Sequence, residues 1–115
     1  MEKKIIQTDK APAPIGPYNQ AVAVGNFLFV SGQIPLDPAT GNLVLDSIEA
    51  ETEKVMENLQ AVLQAAGVDF SHVVKSSIFL TDMSAFAQVN GVYGKYFDEE
   101  TAPARDTVQV AGLPR

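Results

Sequence analysis

The residue in this sequence best suited to bind a small anion is Arg105, within the segment Ala-Pro-Ala-Arg-Asp-Thr-Val-Gln-Val at residues 102–110. Pro103 fixes the backbone just before it and β-branched residues follow at period two, so the pattern places Arg105 where a loop becomes a strand. A guanidinium presents a planar fork of donors that matches a carboxylate at two points. The segment therefore predicts a carboxylate anchor. The alternative is an ordinary ion pair with one of the 14 acidic side chains.

Size and composition limit the classes of protein to consider. A chain of 115 residues with 46% hydrophobic residues is expected to form one domain, residues 1–115, around a single core. A net charge of −6 disfavours nucleic acid as a partner, because phosphate binding requires clustered basic side chains. The lack of cysteine excludes disulfides, thiol nucleophiles and thiolate metal sites. No apolar segment is long enough for a membrane span or a signal peptide, so we expect no membrane association and a cytoplasmic location.

The elements that position Arg105 follow from hydrophobic periodicity. Residues 21–24 and 27–32 flank Gly25-Asn26, which predicts a β-hairpin. A helix is expected to begin at Asp46 or Ser47 and to end at Gly67. The other expected elements are a short strand at residues 4–8, a strand at 73–80, a second helix over about 84–97, and the strand that contains Arg105. This order predicts an α+β fold with a mixed sheet and two helices packed on one face.

The second strand of the hairpin is apolar on both sides. Phe27 and Phe29 point one way, and Leu28 and Val30 point the other way. The two helices can cover one face of the sheet, and no further element is left to cover the other. We therefore expect a homo-oligomer in which the open sheet faces form a shared core and any cleft between copies is lined by two subunits.

Four motifs occur in an order and spacing that resemble the reactive intermediate deaminase family, also called the Rid or YjgF-like family. They are Ile15-Gly16-Pro17-Tyr18, Val30-Ser31-Gly32-Gln33-Ile34-Pro35, the helix start at residues 86–90, and Ala102-Pro103-Ala104-Arg105, and they are followed by Leu113-Pro114. The resemblance covers nearly the whole chain. It implies a chorismate-mutase-like fold, assembled as a homotrimer with a barrel-like core and clefts between subunits.

The activity that the resemblance implies is hydrolysis of 2-imino acids and their 2-aminoacrylate tautomers to 2-keto acids and ammonia. Such a substrate carries a carboxylate next to a C=N bond, so the site requires an anion anchor, hydrogen bonds near the nitrogen and a positioned water. Arg105 matches the family's anchor. We expect neither a metal nor another cofactor. The only histidine, His72, cannot form a typical zinc site without cysteines and is expected in a loop at the surface.

The resemblance also implies roles for five other residues. Tyr18 and Asn90 join the arginine as catalytic candidates, while Ser31, Gly32 and Thr107 are candidates for substrate binding. Each of the first two has an alternative role, because a tyrosine most often packs in a core and an asparagine can be a solvated amide on the polar side of its helix. A strand-end serine is often satisfied locally, whereas a glycine lets a ligand approach the backbone closely. Thr107 shares a strand face with the arginine and stands where many family members have cysteine.

Two features depart from the family pattern. Asp106 stands where the family usually has a small or apolar residue, and strand alternation directs it away from Arg105. The family also continues past the Leu-Pro pair with a strand whose glutamate is associated with positioning the water, and this sequence ends at Arg115. Either the chain is shortened or the water is activated in another way.

Three classes of function therefore remain open. The first is an imine deaminase, and the second is a non-catalytic module that binds 2-keto acids or other small carboxylates through Arg105. The third is a nucleic-acid or chaperone-like role, which the acidic composition disfavours where nucleic acid is concerned.

Overall fold

The computed structural model describes residues 2–114, which contain five strands and two α-helices. The strands are β1 (Lys3–Ile6), β2 (Ala21–Val24), β3 (Phe27–Val30), β4 (Lys75–Leu80) and β5 (Ala104–Gln109), and the helices are α1 (Ile48–Ala65) and α2 (Phe86–Tyr93). Short 3-10 helices lie at Phe70–His72, Met83–Ala85 and Gly94–Tyr96. None of the helices in this described part combines the length and apolarity needed to cross a bilayer.

The strands pair in two groups. Strands β1, β2 and β3 form an antiparallel sheet in that order, and β4 and β5 form a parallel pair. The predicted hairpin is confirmed: Val24 lies opposite Phe27, and Gly25 in the turn has a φ of 57°, which glycine adopts without steric cost. The predicted α+β class with two helices and mixed strand directions is confirmed as well. Within residues 2–114, the hydrogen-bonded strands form two sheets rather than one continuous sheet.

Helix α1 begins and ends close to the predicted positions. Ser47 is the N-cap residue, and its hydroxyl accepts a hydrogen bond from the backbone N–H of Ala50 at 3.0 Å. Gly67 follows the helix with a φ of 80°, the left-handed conformation that commonly ends helices. The buried side chain of Val62 packs with Ile6 and other core residues, so α1 covers the antiparallel sheet.

Helix α2 packs against α1, and two of its side chains, Tyr93 and Asn90, form hydrogen bonds to β4 and β5. The predicted second helix is confirmed in its centre, while its two ends are the 3-10 helices Met83–Ala85 and Gly94–Tyr96. The hydroxyl of buried Tyr93 donates to Ser76 Oγ on β4 at 3.0 Å, and the hydroxyl of Tyr96 donates to Glu53 Oε1 on α1. Burial, together with this hydrogen bond to the glutamate, raises the pKa of Tyr96. The first hydroxyl ties α2 to β4, and the second ties the 3-10 helix that follows α2 to α1.

The face of each sheet that points away from the helices is apolar and exposed. Leu28 and Val30 pack against the core, whereas Phe29 is 63% exposed, and Phe27 beside it is also exposed. On the parallel pair, Phe79 of β4 and Val108 of β5 are exposed in the same way. The predicted uncovered sheet face is therefore present in this chain.

Two buried amide side chains fix the irregular segments that flank the hairpin. Gln20, which is 4% exposed, accepts a hydrogen bond from the backbone of Thr8 and donates to the carbonyls of Thr8, Ala11 and Pro12 at 2.9–3.2 Å. This network holds the segment between β1 and β2. Buried backbone groups outside regular structure need such partners, because leaving them unpaired is costly.

The second amide is Asn58 of α1, which is 1% exposed. Its Nδ2 donates to the carbonyls of Ile34 and Leu36, at 3.0 and 2.9 Å, and so holds the segment between β3 and α1. Asn58 lies at helical spacing from Val62, and therefore on the buried side of the helix.

Replacing Asn58 with leucine tests the contribution of this amide. Leucine has the same branching and the same number of side-chain heavy atoms, so Asn58→Leu removes both hydrogen bonds while it keeps the overall shape of the side chain. We expect the free energy of unfolding to fall by about 2–4 kcal/mol, since two buried carbonyls lose their donor. Urea denaturation at a fixed protein concentration measures the change. Gln60→Leu at an exposed position of the same helix is the control, with an expected change of at most about 0.5 kcal/mol. Equal stability of the two variants would contradict this role of Asn58.

Candidate functional site

Arg105 is the second residue of β5 and lies beside Ser76 of β4 in the parallel register. Along β5 the side chains alternate: Arg105 and Thr107 are half-buried on the side of α2, and Asp106 between them is exposed. The predicted position of Arg105 at the start of a strand is confirmed, as is the shared strand face of Arg105 and Thr107.

One face of α2 contacts the guanidinium of Arg105. Asn90 Oδ1 accepts a hydrogen bond from Arg105 Nη1 at 2.7 Å. The guanidinium carbon lies 5.5 Å from the ring centroid of Phe86 and 5.1 Å from that of Tyr93, within the range of cation–π attraction. Asn90 is exposed, as the solvated-amide alternative expects, and its amide oxygen also binds the arginine.

The charge of Arg105 is not compensated by a carboxylate of the described chain. The pairs of oppositely charged lysine and acidic side chains among residues 2–114 are Lys54–Glu57 and Lys75–Asp106, and neither includes Arg105. Asp106 faces away from Arg105, as strand alternation predicts, and its Oδ2 lies 3.5 Å from Lys75 Nζ. A hydrogen bond from Ser77 and the nearby Lys75 charge lower the pKa of Asp106, so it remains ionised without neutralising the arginine. Within residues 2–114, the side chains that hydrogen-bond to Arg105 or lie against its guanidinium, Asn90, Phe86 and Tyr93, are therefore neutral.

A second group of candidate residues lies on the segments that flank the hairpin. Tyr18 is 49% exposed, and its phenolic oxygen accepts a hydrogen bond from the backbone N–H of Ile15 at 3.3 Å. The core alternative for Tyr18 is therefore wrong. Ser31 Oγ donates to the carbonyl of Asn19 at 2.6 Å, so its proton is used locally and its oxygen can still accept. A Cβ added at Gly32 would have no described atom within 4 Å apart from those of its chain neighbours, so open space adjoins the backbone there.

The two groups of residues line different parts of the chain. Tyr18 and Gly32 line an apolar cavity of about 90 Å³, and Tyr18 also borders a shallow depression of about 350 Å³ together with Ser31. Neither hollow includes Asn90, Arg105 or Thr107 among its lining residues. Within residues 2–114, the structure thus brings Arg105 together with Asn90, and Tyr18 together with Ser31 and Gly32, and neither of these two hollows joins the groups.

The contacts of Phe86 and Tyr93 with Arg105 were not predicted from the sequence. Both residues fit an apolar stripe of α2, and burial against the core explains such a stripe equally well. The available signal was the spacing of Phe86, Asn90 and Tyr93, which are four and three residues apart and therefore share one helix face. Once Asn90 is considered a site residue, this spacing places an aromatic ring on each side of it.

His72 lies in a short 3-10 helix and is exposed, which confirms the predicted surface position. Its Nδ1 accepts a hydrogen bond from the backbone N–H of Asp69 at 3.3 Å, so the ring caps the turn. In residues 2–114, no three side chains among histidines and acids converge in a way that could hold a metal ion.

Comparison with known proteins places this geometry in a family. Residues 8–115 match the family described as Endoribonuclease L-PSP. The chain belongs to this YjgF/Rid family. Protein DfrA of Myxococcus xanthus is 59% identical, with 100% of this chain and 88% of that protein covered. Reactive Intermediate Deaminase A of Arabidopsis thaliana, a chloroplastic protein, is 46% identical over 99% of this chain and 60% of its own length.

Solved structures of YjgF/Rid proteins have the same fold. The crystal structure of E. coli TdcF with bound serine superimposes with a TM-score of 0.90 at 43% identity, covering 97% of this chain and 89% of that chain. The predicted YjgF-like α+β fold is therefore confirmed.

Asn90→Asp tests whether Arg105 is the available cation of this site. The substitution keeps the shape of the side chain but places a carboxylate against Nη1, where it would neutralise the anchor. At pH 7 we expect affinity for pyruvate, used as a small carboxylate probe in calorimetry, to fall about tenfold or more. The loss should persist to about pH 4, because the adjacent arginine lowers the pKa of the new carboxyl group.

Gln88→Glu is the matched control for Asn90→Asp. It adds the same charge to an exposed position of α2, two residues away and on a different side of the helix. We expect less than about a twofold change in pyruvate affinity, given screening at the surface. If both variants bind pyruvate equally well, Arg105 does not anchor the probe.

Proposed function

We propose that this protein hydrolyses 2-imino acids and their enamine tautomers, such as 2-iminopropanoate and 2-aminoacrylate, to 2-keto acids and ammonia. The observation that carries this proposal is Arg105, a fixed guanidinium without a carboxylate partner in residues 2–114. A relative that is 46% identical is named Reactive Intermediate Deaminase A, and the related TdcF structure holds serine, an amino acid with a free carboxylate. Both comparisons favour a small 2-amino or 2-imino acid as the ligand.

The proposed reaction requires little covalent chemistry from the protein. The substrate carboxylate pairs with the guanidinium of Arg105, which fixes the adjacent C=N carbon relative to an attacking water. Water adds to that carbon, the resulting carbinolamine loses ammonia, and the 2-keto acid remains. Free imines already hydrolyse in water, so positioning alone provides a useful acceleration.

We propose further that the site is completed between subunits of a homotrimer. Exposed apolar side chains line the outer faces of both sheets, and the accessible surface of 7579 Å² exceeds the roughly 6,100 Å² typical of a monomer of this mass. Burying these faces against other copies would give each sheet its second layer. Such packing also offers a way for Tyr18, Ser31 and Gly32 of one copy to approach Arg105 of another.

In the assembled cleft, each group of candidates has a distinct task. Tyr18 and Ser31 supply hydroxyl oxygens near the imine nitrogen, and Gly32 leaves room for the ligand beside the backbone. Thr107 lies on the same strand face as Arg105 and offers a hydroxyl to the same ligand. Asn90 acts through its hydrogen bond to the arginine.

Binding without turnover is the second candidate function. The side chains that contact Arg105 are an amide and two aromatic rings, and none of them is a base that could activate water. This favours a module that senses or carries 2-keto acids. The description of the family also names an endoribonuclease, but a net charge of −6 disfavours RNA as the ligand.

A coupled assay separates hydrolysis from binding alone. A pyridoxal-phosphate dehydratase generates 2-aminoacrylate from serine, and its decay to pyruvate is followed with and without this protein. We expect the wild type to accelerate the decay and Arg105→Ala to lower kcat/KM by about 100-fold or more. Arg105→Lys should be intermediate, because lysine keeps the charge but loses the fork.

Lys54→Ala is the control for removing a cation, since Lys54 pairs with Glu57 on α1 and has no contact with Arg105. It should leave kcat/KM unchanged. If the wild type binds pyruvate but does not accelerate decay, the binding module is correct. If Arg105→Ala binds and turns over as well as the wild type, the anchor assignment is wrong.

Phe29→Asp tests the proposed assembly. Phe29 is exposed in the isolated chain, so the variant should keep its fold but lose self-association, because a carboxylate cannot be buried in an apolar interface without a partner. We expect sedimentation to give a trimer for the wild type and a monomer without deaminase activity for Phe29→Asp, with similar circular dichroism. Gln60→Asp, at an exposed position of α1, should remain trimeric. A monomeric wild type would overturn the homotrimer.

A further inference from the structure

A single face of α2 makes three contacts with one guanidinium. Phe86, Asn90 and Tyr93 are spaced at positions i, i+4 and i+7, and each of them reaches Arg105. The two rings have similar distances to the guanidinium carbon, 5.5 and 5.1 Å. The arginine is therefore held by aromatic rings as well as by its hydrogen bond to Asn90.

We propose that Phe86 and Tyr93 are positioning residues that hold Arg105 in the orientation needed to bind a substrate carboxylate. This inference rests on the proposed role of Arg105 as the anchor. The two residues act through the arginine, so they set how well the anchor binds rather than which bond is broken.

The type of contact explains why aromatic residues suit this task. A carboxylate partner would fix the guanidinium equally well but would occupy its donors and neutralise its charge. An aromatic ring attracts the cation and takes up none of its N–H donors. Of the five donors of an arginine, the contact with Asn90 uses one, so a two-pronged site for a carboxylate can remain.

Restricting the Arg105 side chain before the ligand binds also improves the affinity for the ligand. A long, flexible arginine loses conformational freedom when it binds a ligand, and this loss weakens binding. Contacts that already restrict the guanidinium in the free protein reduce the loss. The rings thus contribute to ligand affinity without contact with the ligand.

Tyr93 is itself fixed from two sides. Its hydroxyl donates to Ser76 Oγ at 3.0 Å, and Ser76 is the residue directly beside Arg105 in the pairing of β4 with β5. Its ring lies 4.7 Å from the ring of Phe97, measured between centroids. Tyr93 is buried, whereas Phe86 is partly exposed, so Phe86 is the position where a substitution is least disruptive to the fold.

Phe86→Leu removes the ring but retains an apolar side chain. We expect KM for the imine and the dissociation constant of pyruvate to rise about fivefold, within the roughly 2- to 30-fold range of cation–π contacts. The kcat should change less than KM, because the reacting atoms are untouched. Phe86→Tyr restores the aromatic face and should return both constants to within about twofold of wild type.

Nuclear magnetic resonance of the Arg105 side chain separates a positioning role of Phe86 from a purely structural one. A purely structural role would leave the chemical shift of Arg105 unchanged. In the wild type, ring currents should shift the Arg105 Nε–H resonance, which Arg105→Lys identifies by its disappearance. The shift should diminish in Phe86→Leu and return in Phe86→Tyr. Tyr93→Phe, which keeps the ring and removes only the bond to Ser76, should retain most of it.

The outcomes separate this inference from the proposed function. If Phe86→Leu matches the wild type in pyruvate affinity and in the Arg105 resonance while Arg105→Ala loses binding, the positioning role is wrong and the anchor stands. If Phe86→Leu loses affinity and Phe86→Tyr fails to restore it, the aromatic face is not responsible and the inference is likewise wrong. If Arg105→Ala itself binds as wild type does, the proposed function fails first.

Discussion

Backbone N–H and C=O groups that are buried outside strands and helices need other hydrogen-bond partners. Long segments of this chain are held in place by such partners. The segments on either side of the hairpin have little regular structure. Gln20 and Asn58 satisfy buried groups of these segments from within the core, and the backbone carbonyl of Gln20 also accepts from the N–H of Ser31 at 2.9 Å. The segments that contain Tyr18, Ser31 and Gly32 are therefore held in part by Gln20 and Asn58.

The surroundings of Arg105 meet a different, electrostatic requirement. If Arg105 binds an anion, as we propose, it must be held in place without being neutralised, and the neighbours of Arg105 meet both conditions. Asn90 fixes one nitrogen through a neutral amide, and two rings restrict the plane of the guanidinium. Asp106, the nearest acid in sequence, belongs to the opposite strand face and pairs with Lys75. Strand alternation alone separates the two charges.

Features with a local cause were predictable from the sequence, and features that depend on distant partners were not. The hairpin at Gly25, the cap at Ser47 and the strand position of Arg105 each depend on a few neighbouring residues, and all three are confirmed. The partners of Asn58 lie 22 and 24 residues away, and an amide among apolar residues does not indicate which carbonyls it will meet. The rings of Phe86 and Tyr93 fit the expected apolar stripe of α2. Packing against the core explains such a stripe, so the periodicity did not indicate that these rings contact Arg105. The candidate residues are divided between two regions of one chain, and this division depends on the three-dimensional fold, so it could not be predicted from the sequence.

That division follows the order of the chain. The contiguous unit β4–α2–β5 contains Phe86, Asn90, Tyr93 and Arg105. The segments around the hairpin contain Tyr18, Ser31 and Gly32. Substitutions around the hairpin can therefore accumulate without repacking the unit that holds the arginine. If Arg105 binds the carboxylate as proposed, this separation would let the residues around the hairpin change with the side chain of the ligand while the arginine that binds the carboxylate stays in place.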